Sequence, residues 1–259
     1  SPLVSQIAEI EKVILFEDTV PVVESYGLTS GDLDENSFHK IRMGDFERIY
    51  SVKDVMQQPS HCVGLLLDQS GSMGTSSGYY NRVTEARQIV IMMLEALGKF
   101  KTIKTMVMGH TAQVDRFFGS RGTKENTLDM IHYKTESVDN RHYLAVAPFL
   151  CENIDGLAIE HLANNMASVK DVSGRYMFII SDGQPSAKDY MGTEANKHTR
   201  KMVNQAIAKG VKVFGIGICN AFDNKTGLAL YGPNNFVVID NIRDSLPLIV
   251  RKLKTFITK

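Results

Sequence analysis

Two short runs constrain this chain more than anything else in it. CVGLLL (Cys62 to Leu67) and YMFIIS (Tyr176 to Ser181) are almost wholly apolar, and each is followed at once by an aspartate, Asp68 and Asp182. A strand that is apolar on both faces belongs inside a parallel sheet with helices over each side. The surrounding sequence follows that rule. Val83, Ala86, Val90, Met93, Leu94 and Leu97 recur at helical spacing before Gly98. TMVMG (Thr105 to Gly109) reads as a strand, with QVDRFFG as its hairpin neighbour. Asp155 to Val169 reads as a helix with Leu157, Leu162, Met166 and Val169 on one side, and Glu194 to Lys209 as another, closed by Gly210. VKVFGIGI and FVVID (Phe236 to Asp240) are strands, and a helix from about Asp244 ends the chain. Strands alternating with helices predict a doubly wound, mostly parallel α/β sheet, Rossmann-like, with helices on both faces.

The first sixty residues differ in character. Ile7, Ile10, Val13 and Ile14 could share a helix face, and GDLDENSFHKIRMGDFERIYS is polar with sparse anchors at Leu33, Phe38, Ile41 and Phe46. The expectation is an extension (1–60) packed on one domain (61–259). Lys+Arg and Asp+Glu both number 29, so net charge points to neither nucleic acid nor an anionic membrane as partner. No apolar run approaches the roughly 20 residues of a membrane span, and no leader-like segment opens the chain. Cys62, Cys151 and Cys219 have no paired spacing, so buried thiols in a cytoplasmic protein are expected. The chain opens on Ser1, as a piece of a longer protein would.

The chemistry gathers where the two strands end. In open parallel sheets ligands bind beyond the carboxyl ends of strands, at the point where strand order reverses. If the two runs flank that point, Asp68 and Asp182 converge. Asp68-x-Ser70-x-Ser72 puts three oxygen side chains on one side of an extended segment. Such hard ligands suit Mg²⁺, Mn²⁺ or Ca²⁺ and not zinc or copper. Gly71 and Gly74 are expected to let the backbone turn tightly. The plainer alternative is that Asp68 caps a helix and the serines are ordinary turn residues.

DQSGSMG after one strand and ISDGQP after another resemble the metal-ion-dependent adhesion site of von Willebrand factor A (VWA) domains. The resemblance implies a sheet of about six strands and a site in which Asp68, Ser70, Ser72 and Asp182 match residue by residue. The family's middle loop supplies a further threonine oxygen. Here it reads CENIDG, so that Asn153 or Asp155 would take this place, directly or through water. ENIDG, ISDGQP, GIGI with VVID, and SGDLDENSFHKIRMGDFERIYSVKD resemble more closely the CobT subunit of aerobic cobaltochelatase. That resemblance implies a subunit, not itself the ATPase, working with an AAA+ ATPase and a large chelatase subunit to insert cobalt into a corrin ring. No Gly-x-x-x-x-Gly-Lys-Ser/Thr occurs, so nucleotide hydrolysis falls to a partner. The metal would bind that partner by accepting an Asp or Glu in place of a water.

Two other functions fit parts of the sequence. One is a free-standing adhesion or scaffold domain that recognises an acidic ligand. The other is a serine hydrolase, since Ser70-x-Ser72-x-Gly74 approaches a nucleophile elbow but lacks its first glycine. The seven histidines, His39, His61, His110, His132, His142, His161 and His198, show no metal-ligand spacing. His110 stands near the sheet's top edge in this reading, as an ordinary histidine. Tyr79, Tyr80 and Arg82 follow the metal loop as a solvated rim or a partner contact, and Met73 packs on the loop or meets the partner.

Overall fold

The computed structural model describes residues 22–55, 60–74, 76–77, 80–100, 102–114, 126–146, 152–183, 185–218, 222–239, 248–249 and 251. The expected helix through Ile7, Ile10, Val13 and Ile14, and most of the terminal helix, lie outside them, as do Cys151, Cys219, Tyr79 and Asp240. Two compact units part at Gln58 and Pro59.

The smaller unit holds β1 (Val22–Leu28), β2 (Asp32–Leu33), the short helix α1 (Phe38–Arg42) and β3 (Tyr50–Val55). The strands form an antiparallel sheet in the order β1-β3-β2. Asp34 organises the loop after β2: its carboxylate accepts from the Asn36 N–H at 3.0 Å and the Ser37 hydroxyl at 2.8 Å. Ile49 is buried, whereas the expected anchors Leu33, Phe38 and Phe46 are exposed. Three short strands and a five-residue helix have too little inner surface to cover four apolar side chains.

The larger unit carries the doubly wound sheet. Its strands are β4 (His61–Asp68), β7 (Ile103–Val114), β8 (Asn126–Lys134), β9 (Gly174–Ser181), β12 (Val211–Ile218) and β13 (Phe236–Ile239). Their order is β13-β12-β9-β4-β7-β8, parallel throughout except for β7 against β8. The small pairs β5 (Ser76–Ser77) with β6 (Tyr80–Asn81), and β10 (Ser186–Ala187) with β11 (Tyr190–Met191), decorate its loops.

Helices cover both faces. Val63, Leu65 and Leu67 of β4 point into one layer with α2 (Arg82–Leu97) and with Leu248 and Ile249 near the chain end. Cys62 and Leu66 point into the other, with α3 (Asp155–Ser168) and α4 (Gly192–Ala208). Period-two alternation thus feeds two cores from one strand. Gly64 falls on the second face, where a Cβ would strike Met166 and Leu162 of α3. Burial pushes the Cys62 thiol up to about 11, as expected for an inert buried cysteine.

Two expectations need correction, and one further helix stands where none was expected. The hairpin partner of β7 is β8, because Gln113 and Val114 continue β7 itself. Leu157 is exposed, because the inner stripe of α3 runs through Ala158, Ile159, Leu162, Ala163 and Met166. A further helix, α5 (Asn224–Tyr231), stands before β13, capped by the Asp223 carboxylate on the Thr226 N–H at 2.7 Å.

Candidate metal centre

Strand order reverses at the middle of the sheet. The chain leaves β4 towards β7 on one side and returns on the other as β9, so β4 and β9 flank the switch point. β4 finishes there in Asp68, and Asp182 follows the last residue of β9.

Asp68 is fully buried. One carboxylate oxygen accepts the Ser70 N–H at 2.8 Å, which turns the chain sharply after the strand. The other accepts from the Asn153 amide at 3.0 Å and the Ser181 hydroxyl at 2.9 Å. The loop then closes as a 3₁₀ turn over Gly71–Gly74, with Met73 sunk into the core beside α2 and not offered to a partner. The hydroxyls of Ser70 and Ser72 meet at 2.9 Å, so these two oxygens of the Asp-x-Ser-x-Ser run share one side. The glycines that take a positive φ lie elsewhere, Gly183 among them at 79°. The turn at Gly71 and Gly74 therefore does not draw on glycine's left-handed freedom.

The middle loop, Glu152 to Asp155, is fastened at both ends. Ala112 and Glu152 exchange backbone hydrogen bonds at 2.7 and 3.0 Å. The Ser186 N–H donates to the Asn153 side-chain oxygen at 3.1 Å. That leaves the Asn153 NH₂ for Asp68, so both ends of this amide are occupied by neighbours. Asp155, the first residue of α3, differs: neither carboxylate oxygen has a hydrogen-bond partner among the described residues, and it is 1% exposed. Gly156 beside it is required, since a Cβ would strike His198 and the Tyr190 hydroxyl.

Three buried carboxylates, Asp68, Asp155 and Asp182, therefore face one another. Burial first, and then the negative charges of Asp68 and Asp182, push the Asp155 carboxyl well above the usual range. Burial and then Asp68 raise Asp182, while the Ser72 hydroxyl and the Arg82 guanidinium act the other way. One oxygen of Asp182 meets Arg82 Nη1 at 2.9 Å, and the other has no partner among the described residues.

Sequence reasoning missed two members of this cluster. His110 of β7 is wholly buried, with Nε2 3.5 Å from Asp155 and no hydrogen bond to either ring nitrogen among the described residues. Burial lowers its pKa, against the pull of Asp68, and holds the ring towards the neutral form. Its place follows from register, since Asp68 pairs with His110 across β4 and β7. Arg82, expected at a solvated rim or against a partner, reaches inward to Asp182 and the Ser72 carbonyl.

Among the described residues, no three His, Cys, Asp or Glu side chains form a metal cage by themselves. The cluster mixes carboxylates with hydroxyls, the donor set of a hard cation that retains waters. The unpartnered oxygens of Asp155 and Asp182 fit such an ion: a buried carboxylate without a donor is costly unless a cation neutralises it. Ser72 has no described histidine as hydrogen-bond partner, so the arrangement a serine nucleophile needs is lacking among the described residues.

This sheet, with its switch point between two strands whose ends carry Asp68 and Asp182, defines a VWA-type α/β domain. Residues 50–259 match the family described as Cobalamin biosynthesis protein CobT VWA domain, and the chain belongs to that family. No curated protein sequence matches it. Among solved structures, the pilus adhesin SpaC from Lactobacillus rhamnosus GG aligns with TM-score 0.55 and 13% identity, over 79% of this chain and 31% of its own. Proximal thread matrix protein 1 from the mussel byssus, with a zinc-occupied MIDAS motif, aligns with TM-score 0.52 and 10% identity, over 77% of this chain and 46% of its own. These likenesses are of fold, and the chain spans only about a third to a half of those proteins' length. No described helix is long and apolar enough to cross a membrane.

Proposed function

We propose that this domain holds a divalent cation, Mg²⁺ or its relatives Mn²⁺ and Ca²⁺, and uses it to bind an acidic side chain of a partner protein. The observation that carries this reading is the set of buried, unpartnered oxygens on Asp155 and Asp182, gathered with Asp68 and the Ser70 and Ser72 hydroxyls at the switch point. Ser70, Ser72, Asp155 and Asp182 serve as ligands, directly or through water, and Asp68 adds charge while anchoring the loops. Asn153 is assigned as the brace of the middle loop, because both ends of its amide are already engaged. The bound ion supplies positive charge for an incoming Asp or Glu. The chain's own residues orient that ion and bury its inner side.

Membership of the CobT family supports placing the domain in a cytoplasmic cobaltochelatase-like complex. There it works with an AAA+ ATPase and a large subunit that inserts metal into a tetrapyrrole, with residues 1–60 as an extension preceding the domain. It needs no catalytic group of its own for that role. Calorimetry with Mg²⁺ and Mn²⁺ tests the site: binding should disappear in Asp182→Ala. Undiminished affinity in that variant contradicts the assignment. Pull-down of an AAA+ partner should fail in EDTA, and metal-independent capture would refute the coordination mechanism.

A further inference from the structure

Arg82 is the first residue of α2, and its guanidinium turns back across the switch point. Nη1 lies 2.9 Å from an Asp182 oxygen and 3.3 Å from the Ser72 carbonyl. Arginine stays charged at any pH a protein meets. Among the described residues, it is the one permanent cation bonded to this cluster of buried carboxylates. It therefore does part of the work of a divalent ion. The fit is incomplete, since Nε and the second Asp182 oxygen both lack partners among the described residues. The two sides are unequally buried: the Arg82 side chain is 17% exposed and that of Asp182 1%. The guanidinium thus covers Asp182 from the more exposed side.

An ion held by Asp182 and the serine hydroxyls would stand within a few ångströms of this guanidinium, and like charges at that range repel strongly in a half-buried site. Retreat of Arg82 towards solvent relieves that repulsion. It also leaves a planar fork of donors at the rim, suited to a carboxylate. We propose that Arg82 is a displaceable stand-in for the metal: ion entry breaks its bond to Asp182, and the released guanidinium becomes a second anchor for the acidic side chain that the ion receives. This rests on the metal reading given above.

The test titrates Mn²⁺ into wild type, Arg82→Met and Arg82→Lys by calorimetry, then titrates an acetylated Gly-Glu-Gly peptide at saturating Mn²⁺ and follows it by NMR. With the competing charge gone, Arg82→Met should bind Mn²⁺ about tenfold tighter than wild type, with Arg82→Lys in between. The peptide should bind Arg82→Met several-fold more weakly. A merely structural arginine would instead lower both affinities together, and that result overturns the proposal. A crystal structure of Mn²⁺-loaded wild type gives a second reading free of any variant's folding, and an intact Arg82–Asp182 bond in it overturns displacement. If wild type binds no Mn²⁺ at all, the metal reading itself fails. If wild type binds and Arg82→Met gains nothing, only this proposal fails.

Discussion

Replacing Asp155 with asparagine is expected to stabilise the metal-free protein. The carboxylate is buried, its oxygens lack partners among the described residues, and Asp68 and Asp182 press negative charge upon it. A carboxyl whose pKa is raised on folding holds its proton more tightly folded than unfolded. Its penalty is thus absent below the ordinary aspartate pKa and grows as pH rises towards the folded value. At pH 7 the penalty cannot exceed that of keeping an ordinary aspartate protonated, roughly three pH units at about 1.4 kcal/mol each, or about 4 kcal/mol. It is at least the cost of a buried polar group without a hydrogen bond, about 1 kcal/mol. Against this, a negative charge at the start of α3 gains roughly 0.3–1 kcal/mol from the helix dipole, which asparagine gives up. The net is about 0–4 kcal/mol in favour of the variant, a rise in Tm of up to roughly 15 °C for a unit of this size. Thermal unfolding at pH 7 in EDTA, repeated in excess Mn²⁺, measures it. The variant should melt above wild type in EDTA and gain less from Mn²⁺. A variant less stable than wild type in EDTA would show that Asp155 is not a strained, uncompensated charge, and the reasoning would be wrong.

Further consequences can be measured on the same protein. Because Asp155 and Asp182 are raised in the free protein, Mn²⁺ binding should expel protons and tighten as pH rises from the ordinary aspartate pKa, about 4; calorimetry in buffers of differing ionisation heat should detect the release, and its absence would contradict the shifts. Asn153→Ala should cost about 1–3 kcal/mol, because it strands the Ser186 N–H and removes a donor to Asp68. Unlike Asp155→Asn, it should weaken Mn²⁺ binding and stability together, as chemical unfolding beside calorimetry would reveal. Gly183→Ala adds a Cβ at a φ of 79°, against the Phe222 ring. It should destabilise by more than about 1 kcal/mol and weaken Mn²⁺ binding by moving Asp182; an unchanged midpoint in urea would count against it.

The sheet was legible because its inner strands are apolar on both faces, and CVGLLL and YMFIIS carry that signal in single runs. β8 was not, because its apolar residues, Leu128 and Met130 towards one core and Ile131 and Tyr133 towards the other, are broken up by Asp129 and His132 and form no continuous run. NTLDMIHYK therefore reads as an ordinary polar segment. Asp68 and Asp182 were legible from their place after buried strands. Which middle-loop residue stands free was not, because it depends on hydrogen bonds from Ser186 and to Asp68 that close only in three dimensions. His110 needed the register between β4 and β7, which no local pattern fixes. Arg82 looked like a rim residue because nothing in its own neighbourhood tells that its side chain turns back to a strand a hundred residues away.

The claim that matters most is that a cation sits among these oxygens. Anomalous scattering from crystals soaked in Mn²⁺ tests it directly. One strong peak is expected at the switch point, about 2.1–2.3 Å from hydroxyl oxygens of Ser70 and Ser72 or from a carboxylate of the cluster, with waters completing the shell. No peak there at saturating Mn²⁺, or a peak elsewhere with these side chains unmoved, would contradict it.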